Sequence, residues 1–211
     1  MIMLIAFLTM TLDHIGTVFF PDIFFLQVIG RLSFPLFAWG IARGYRSTQN
    51  SNKYAVRLLL LAVVSQLPYY LLRENGYLNI CFNLFVGLLF LKLYDSQLPP
   101  WARWPGLLVL VALPQVLNVE YGTYGLLTIL LFHRFWEQES IIYYQAALTL
   151  ISVIIWHYDP IQLFSVLSPI LLLFINNLKQ TNFKLPRLLQ YGFYPIHLFL
   201  FFLFKNGGFN L

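Results

Sequence analysis

Charged residues are scarce in this chain. Only 10% of its 211 residues are Asp, Glu, Lys or Arg, whereas about 25% are charged in an ordinary soluble domain. Hydrophobic residues account for 59% of the sequence. This composition excludes a soluble globular protein and predicts an all-α polytopic membrane protein, with the lipid bilayer as its first partner.

Cysteine and catalytic signature motifs are nearly absent as well. The single cysteine, Cys81, excludes an internal disulfide and a cysteine-rich metal site. The sequence has no nucleophile elbow and no glycine-rich phosphate loop, so covalent catalysis has no evident nucleophile. Histidines and carboxylates show no metal-ligand spacing, and we expect no metal.

Apolar runs divide the chain into candidate transmembrane helices. A helix needs about 20 mostly apolar residues to cross the hydrocarbon, and the turn-forming stretches leave about nine candidates, with eight or ten as alternatives. They lie at residues 2–20, 23–45, 54–72, 78–94, 104–119, 121–135, 140–157, 161–177 and 188–205. We expect residues 1–211 to form a single transmembrane domain without a soluble domain.

The basic residues predict the orientation. In the nine-helix topology Arg73 and Lys205 lie on one side, whereas the other side holds Arg43, Arg46, Lys53, Arg57, Lys92, Arg103, Arg134, Lys179, Lys184 and Arg187. Because Lys and Arg concentrate on the cytoplasmic side, we expect a multi-pass membrane protein with its N-terminus inside. The net charge of +5 then reflects topology, and no nucleic-acid partner is expected.

Three polar residues lie inside the first two candidate helices. Asp13 and His14 interrupt the run LTMTLDHIGTVFF roughly 10 Å from its outer end, and Arg31 lies at a similar depth in the next helix. A charge within the bilayer costs a few kcal/mol, so it is usually retained for function and with a partner. These three residues are therefore the first candidates for a catalytic site.

Helical periodicity separates the directions of Asp13 and His14. A stripe of small or polar residues on the first helix should face other helices rather than lipid. It consists of Ala6, Thr9, Asp13 and Gly16. His14 is rotated by about 100° from Asp13. We therefore expect Asp13 to anchor Arg31 or a backbone amide, and His14 to face a cavity.

Further polar residues are predicted in the outer half of the membrane, where they could line the same site. They are Asn79, Asn83, Glu120, Tyr121, Tyr194 and His197. His197 lies mid-helix after Pro195, which removes a backbone donor and favours a kink. The alternative interpretation is a satisfied buried polar network that only sets the helix register.

Successive segments of the chain resemble the TraX family. They are LDHIG, IGRLSFPLFAWGIARGYRSTQN, YAVRLLLLAVVSQLPYY, LNICFNLFVG, EYGTYG and FYPIHL, and they cover nearly the whole chain. This family is named for an F-plasmid protein linked to N-terminal acetylation of pilin, and it resembles a wider group of multispanning membrane acyltransferases. Glu120 is a departure from the family pattern, in which we expect aspartate more often.

The resemblance implies an acetyltransferase of the bacterial cytoplasmic (inner) membrane that takes acetyl-CoA from the cytoplasm and transfers the acetyl group to an amine or hydroxyl. The acceptor would be a pilin N-terminus, another peptide or an envelope glycan. By this resemblance His14 is the catalytic histidine and general base. Asp13 would organise the site, and Arg31 would orient a substrate or stabilise the developing oxyanion.

Coenzyme A carries anionic phosphates, so its binding requires cations. Arg43, Arg46 and Arg57 lie near one predicted cytoplasmic mouth and are the candidates for this role. The general excess of basic residues on the cytoplasmic side also predicts arginines at these positions.

Two other functions fit the same polar residues. A proton-coupled transporter or channel would use Asp13, His14 and Arg31 as a relay, although the sequence lacks the internal repeat of many transporters. A noncatalytic scaffold for envelope assembly would use them as a structural network. A homodimer remains open, because the aromatic-rich helices could face either lipid or a second copy.

Overall fold

The computed structural model describes residues 1–177 and 186–207. These residues form ten α-helices, and a 3₁₀ helix, Pro160–Val166, precedes the ninth. The α-helices are α1 (Ile2–Val18), α2 (Phe24–Gly30), α3 (Ser33–Ser47), α4 (Ser51–Arg73), α5 (Ile80–Tyr94), α6 (Pro100–Val116), α7 (Gly122–Phe135), α8 (Ile141–Ile155), α9 (Leu167–Asn177) and α10 (Arg187–Asn206). The predicted all-α class is confirmed.

Each predicted apolar run coincides with helical structure, but two runs are divided. The second run forms α2 and α3, because Pro35 lacks the N–H that would bond to the carbonyl of Arg31 in a continuous helix. The eighth run begins with the 3₁₀ helix and continues as α9. Its start is capped by Asp159, whose carboxylate accepts a hydrogen bond from the N–H of Ile161 at 2.9 Å.

Three helical stretches are long and apolar enough to cross a bilayer, namely Phe24–Ser47, Ser51–Arg73 and Leu188–Asn206. With the apolar composition, they identify the chain as a membrane protein. The number of crossings and the cytoplasmic N-terminus stay predictions. Lys179 and Lys184, which contribute to the predicted orientation, lie outside the described residues.

The first of two compact units comprises Met1–Phe37 and Phe135–Leu211. In this unit α1 packs against α2 and α10. The rings of Phe7 in α1 and Phe193 in α10 stack with centroids 4.6 Å apart. The hydroxyl of Ser168 in α9 donates a hydrogen bond to the carbonyl of Leu32 at 3.0 Å.

The second unit comprises Ala38–Arg134, in which α5 packs against α4 and α6. An isolated bridge between Leu78 and Val119 joins the connection before α5 to the connection before α7. The N–H of Leu78 donates to the carbonyl of Asn118 at 3.0 Å, and the N–H of Glu120 donates to the carbonyl of Leu78 at 2.9 Å. This pairing fixes the two connections to each other.

Small residues bring α1 and α2 into close contact. All members of the predicted stripe on α1 are buried. A Cβ added to Gly16 would lie only 2.8 Å from the Cβ of Leu26, and a Cβ on Gly30 would overlap the carboxylate of Asp13. The stripe therefore faces protein, as predicted, and Gly30 leaves room for a charged side chain between the two helices.

Gly30→Ala should destabilise the first unit. The added methyl must displace the Asp13 carboxylate, and such overpacking typically costs about 1 to 3 kcal/mol. We expect a lower unfolding temperature in detergent. Gly192→Ala is the matched control, because its Cβ would lie 3.4 Å from the flexible end of Ile196. Equal unfolding temperatures for both variants would contradict this account of the α1–α2 contact.

Candidate functional site

Asp13 and Arg31 form an ion pair between α1 and the C-terminal end of α2. Oδ1 of Asp13 accepts a hydrogen bond from Nη2 of Arg31 at 2.7 Å. Nε of Arg31 also donates to the carbonyl of Gln27 at 3.4 Å. The side chain of Asp13 is 10% exposed and that of Arg31 is 17% exposed. Each charge therefore depends on its protein partners. The expected contact between Asp13 and Arg31 is present.

His14 forms a buried hydrogen bond with His197 of α10. Nδ1 of His14 lies 2.8 Å from Nε2 of His197, and each residue is only 6% exposed. Nδ1 of His197 lies 2.9 Å from the backbone carbonyl oxygen of Phe193, one helical turn earlier. The two imidazoles and this carbonyl therefore form a continuous hydrogen-bonded chain.

Aromatic rings surround the two imidazoles. The Phe201 ring lies nearly perpendicular to both imidazoles, and its centroid is 6.4 Å from that of His14 and 5.7 Å from that of His197. The rings of Phe193 and Tyr194 lie 5.1 Å and 5.6 Å from the imidazole of His197. These apolar faces reduce contact with water, and electrostatic interactions at the histidines are stronger for that reason.

The first unit thus brings together five of the predicted site residues. They are Asp13, His14, Arg31, Tyr194 and His197. Their functional roles stay predictions. His197 was predicted as a residue that could line the same site as His14, but the hydrogen bond between the two imidazoles was not predicted, because the sequence does not indicate which helices meet. The pattern FYPIHL, with a histidine one turn after an aromatic residue, was the available signal.

Asn79 and Asn83 lie in the second unit, where their amides hold the connections. Asn79 caps α5 by accepting from the N–H of Cys81 at 3.0 Å, and its amide donates to the carbonyl of Ala62 at 2.8 Å. The Asn83 amide donates to the carbonyls of Glu120 and Gly122 at 2.8 and 2.9 Å. The Asn79 side chain thereby satisfies one N–H at the start of α5, and the Asn83 side chain links α5 to the backbone at the start of α7.

Glu120 and Tyr121 lie at the start of α7 in the same unit. The Glu120 carboxylate lies near the hydroxyl of the buried Tyr69. Tyr121 has a left-handed backbone with φ of 63°, which is a strained conformation for a bulky residue. The Tyr121 ring stacks near that of Tyr124, with centroids 6.2 Å apart. This arrangement holds the Glu120 carboxylate beside Tyr69.

The three arginines considered for the acyl donor are also in the second unit. The guanidinium of Arg43 lies 5.1 Å from the centroid of the Trp39 ring, and that of Arg57 lies 6.0 Å from the Tyr54 ring. Arg43 and Arg46 are exposed. Guanidinium groups held on aromatic faces remain able to bind phosphate through their N–H groups.

The sequence did not predict the contact between His133 and Asp95. Nε2 of His133 lies 3.1 Å from Oδ2 of Asp95 at the C-terminal ends of α7 and α5. The hydroxyl of Tyr45 also lies near this carboxylate. The sequence signal was weak, because both residues lie beside basic residues at helix ends, where charge is ordinary. In residues 1–177 and 186–207, no group of three or more metal-ligating side chains is clustered for a metal ion.

Similarity to known proteins extends over nearly the whole chain. A protein described as "Probable fimbrial assembly protein FimC, serogroup H1" from Dichelobacter nodosus is 27% identical over 230 residues, covering 93% of this chain and 91% of the relative. No solved structure matches the chain. The family model described as TraX protein matches residues 1–205. The chain therefore belongs to the TraX family.

Proposed function

We propose that this chain is an integral membrane acyltransferase that moves an acetyl group from acetyl-CoA to an amine or hydroxyl acceptor. The observation that carries the proposal is the buried pair of His14 and His197, adjacent in sequence to the ion pair of Asp13 and Arg31. A histidine that is held by a second side chain and shielded by aromatic rings is a suitable general base. Membership of the TraX family supports acetyl transfer as the reaction.

In this reaction His14 removes a proton from the acceptor nitrogen or oxygen as it attacks the thioester carbonyl. A bond forms between the acceptor atom and the acetyl carbon, and the carbon–sulfur bond of the thioester breaks. The imidazolium then returns the proton to the leaving thiolate. This sequence needs no covalent enzyme intermediate, in agreement with the absence of a nucleophile motif from the sequence.

Arg31 is suited to stabilise the negative charge that develops on the carbonyl oxygen, because its guanidinium has several N–H donors. Asp13 acts as a positioning residue, since it holds Nη2 of Arg31 at 2.7 Å. The ion pair thus holds the Arg31 cation on the residue that directly precedes His14 in the sequence, and Asp13 neutralises that cation between reactions.

The donor and acceptor are assigned by their chemistry. Arg43, Arg46 and Arg57 would bind the phosphates of coenzyme A on the cytoplasmic side of the inner membrane. The acceptor we favour is the N-terminal amine of a pilin-like peptide, because the TraX family is named for pilin acetylation and the relative is described as a fimbrial assembly protein. Tyr194, whose ring lies 5.6 Å from the imidazole of His197, is the candidate for a substrate contact within the first unit.

The description of that relative also supports a second function. A noncatalytic scaffold for fimbrial assembly would bind partner subunits and use the buried polar residues only for folding. Such a scaffold would release no thiol from acetyl-CoA. It would also assemble fimbriae equally well with and without the His14 base.

His14→Asn should abolish acyl transfer while preserving the fold. An asparagine amide can replace Nδ1 as a donor to His197, but it has no group at the position of Nε2. Because general bases contribute about 10²- to 10⁴-fold to rate, we expect kcat to fall at least about 100-fold. The measurement is thiol release from acetyl-CoA by protein in nanodiscs, with a peptide that has a free N-terminal amine.

The matched control for that experiment is His157→Asn. His157 is exposed and has a left-handed backbone with φ of 56°, a conformation that asparagine tolerates. We expect wild-type activity from this variant and unchanged coenzyme A binding from both. If wild type releases no thiol but supports fimbrial assembly, the scaffold function is correct instead.

The ion pair should show strong coupling in a double-mutant cycle. Asp13→Asn or Arg31→Gln alone leaves one poorly solvated charge without its partner, and each should lower the free energy of unfolding by about 3 kcal/mol. The double variant should cost less than the sum of the single variants. Unfolding in detergent measures these differences. The control is Lys92→Gln, which removes an exposed hydrogen bond to Asn52 and should change stability little. Additive effects of the two ion-pair variants would refute the coupling.

A further inference from the structure

We infer that His197 is a positioning residue that holds His14 in one tautomer, with the proton on Nδ1 and the basic lone pair on Nε2. The inference rests on the proposed function, because it names the nitrogen that would act as base in acyl transfer. The tautomer itself follows from the hydrogen bonds of the two rings and can be measured without activity.

The first step concerns the proton on His197. Its Nδ1 lies 2.9 Å from the backbone carbonyl oxygen of Phe193. A carbonyl oxygen only accepts hydrogen bonds, so Nδ1 of His197 must carry a proton and donate it. This carbonyl belongs to the preceding turn of the same helix, and its position is therefore set by the backbone.

The second step transfers that constraint to His14. A neutral imidazole has one N–H, and with the proton on Nδ1 the other nitrogen of His197 is an acceptor. Nε2 of His197 lies 2.8 Å from Nδ1 of His14. This distance is a hydrogen bond only if Nδ1 of His14 donates. The lone pair of neutral His14 then lies on Nε2, at the opposite side of its ring.

Packing keeps both rings in this arrangement. The imidazole of His197 stacks on the Phe193 ring, with centroids 5.1 Å apart and planes 21° from parallel. The Phe193 ring in turn stacks on Phe7 of α1. The Phe201 ring packs nearly perpendicular to both imidazoles. A rotation of either imidazole would disturb these contacts, so the chain of donors and acceptors is preorganised.

The same hydrogen bond acquires a second role during the reaction. When Nε2 of His14 accepts the proton of the acceptor, the ring becomes an imidazolium and Nδ1 continues to donate to His197. A hydrogen bond from a charged donor is stronger than one between neutral groups. His197 therefore stabilises the charge that forms in the transition state without taking up the proton itself. Its removal should lower kcat and leave KM nearly unchanged.

The direct test is nitrogen NMR of histidine-labelled wild-type protein in nanodiscs, under conditions in which both imidazoles are neutral. His14→Asn and His197→Gln assign the signals by their loss. We expect both His14 and His197 to be protonated at Nδ1. A His14 signal with the proton on Nε2 would overturn the inference, whatever the activity of the protein.

Two variants of His197 separate positioning from packing. His197→Gln keeps an acceptor near the position of Nε2, whereas His197→Leu fills similar space without an acceptor. We expect the glutamine variant to retain the His14 tautomer and to keep kcat within about 5-fold of wild type, because the acceptor is preserved. The leucine variant should lose the fixed tautomer and about 10- to 100-fold in kcat, the usual cost of losing a residue that orients another.

The outcomes distinguish this inference from the proposed function. Wild-type protein with the expected tautomer but no acyl transfer supports the inference about His197 and removes the acyltransferase proposal. Acyl transfer that depends on His14, with kcat equal in the leucine and glutamine variants, removes the positioning role and leaves the acyltransferase proposal standing. If the leucine variant unfolds, the tautomer of His14 in wild type and in His197→Gln decides the question.

Discussion

A guanidinium within a hydrophobic protein needs hydrogen-bond partners, and Arg31 finds one in the Asp13 carboxylate, which links α1 to the end of α2. Once Asp13 points towards α2, the helical rotation of about 100° per residue directs His14 elsewhere. It meets α10 and bonds to His197. Gly30 makes the arrangement possible, because any side chain at that position would occupy the space of the carboxylate.

Asp13 and His14 are adjacent in sequence but consequently bond to different partners. The ion pair supplies a fixed positive charge, whereas the histidine pair supplies a group that can gain and lose a proton. In an acyltransferase these would be the stabiliser of the oxyanion and the base. A direct relay between Asp13 and His14 is unnecessary, because a backbone carbonyl at Phe193 orients the histidines instead.

Buried polar residues elsewhere show that similar chemistry can be architectural. Asn79 and Asn83 are fully buried and bind the backbone of the connections in the second unit. Asn79 accepts a hydrogen bond from an N–H at the start of α5, and both side chains donate to backbone carbonyls away from water. Their predicted depth in the membrane suggested that Asn79 and Asn83 belong with His14. Depth alone, however, does not predict which partner a buried polar side chain will bond to.

Local properties of the sequence determined the helical class, the helix positions and the buried stripe on α1, because hydrophobicity and the 3.6-residue period act within one segment. They also indicated the partner of Arg31, since Asp13 lies at matching depth on the preceding helix. Only the tertiary structure decided the partner of His14, which lies 183 residues away. A histidine in mid-helix specifies depth and direction, but the helix that it meets depends on how all the segments of the unit pack together.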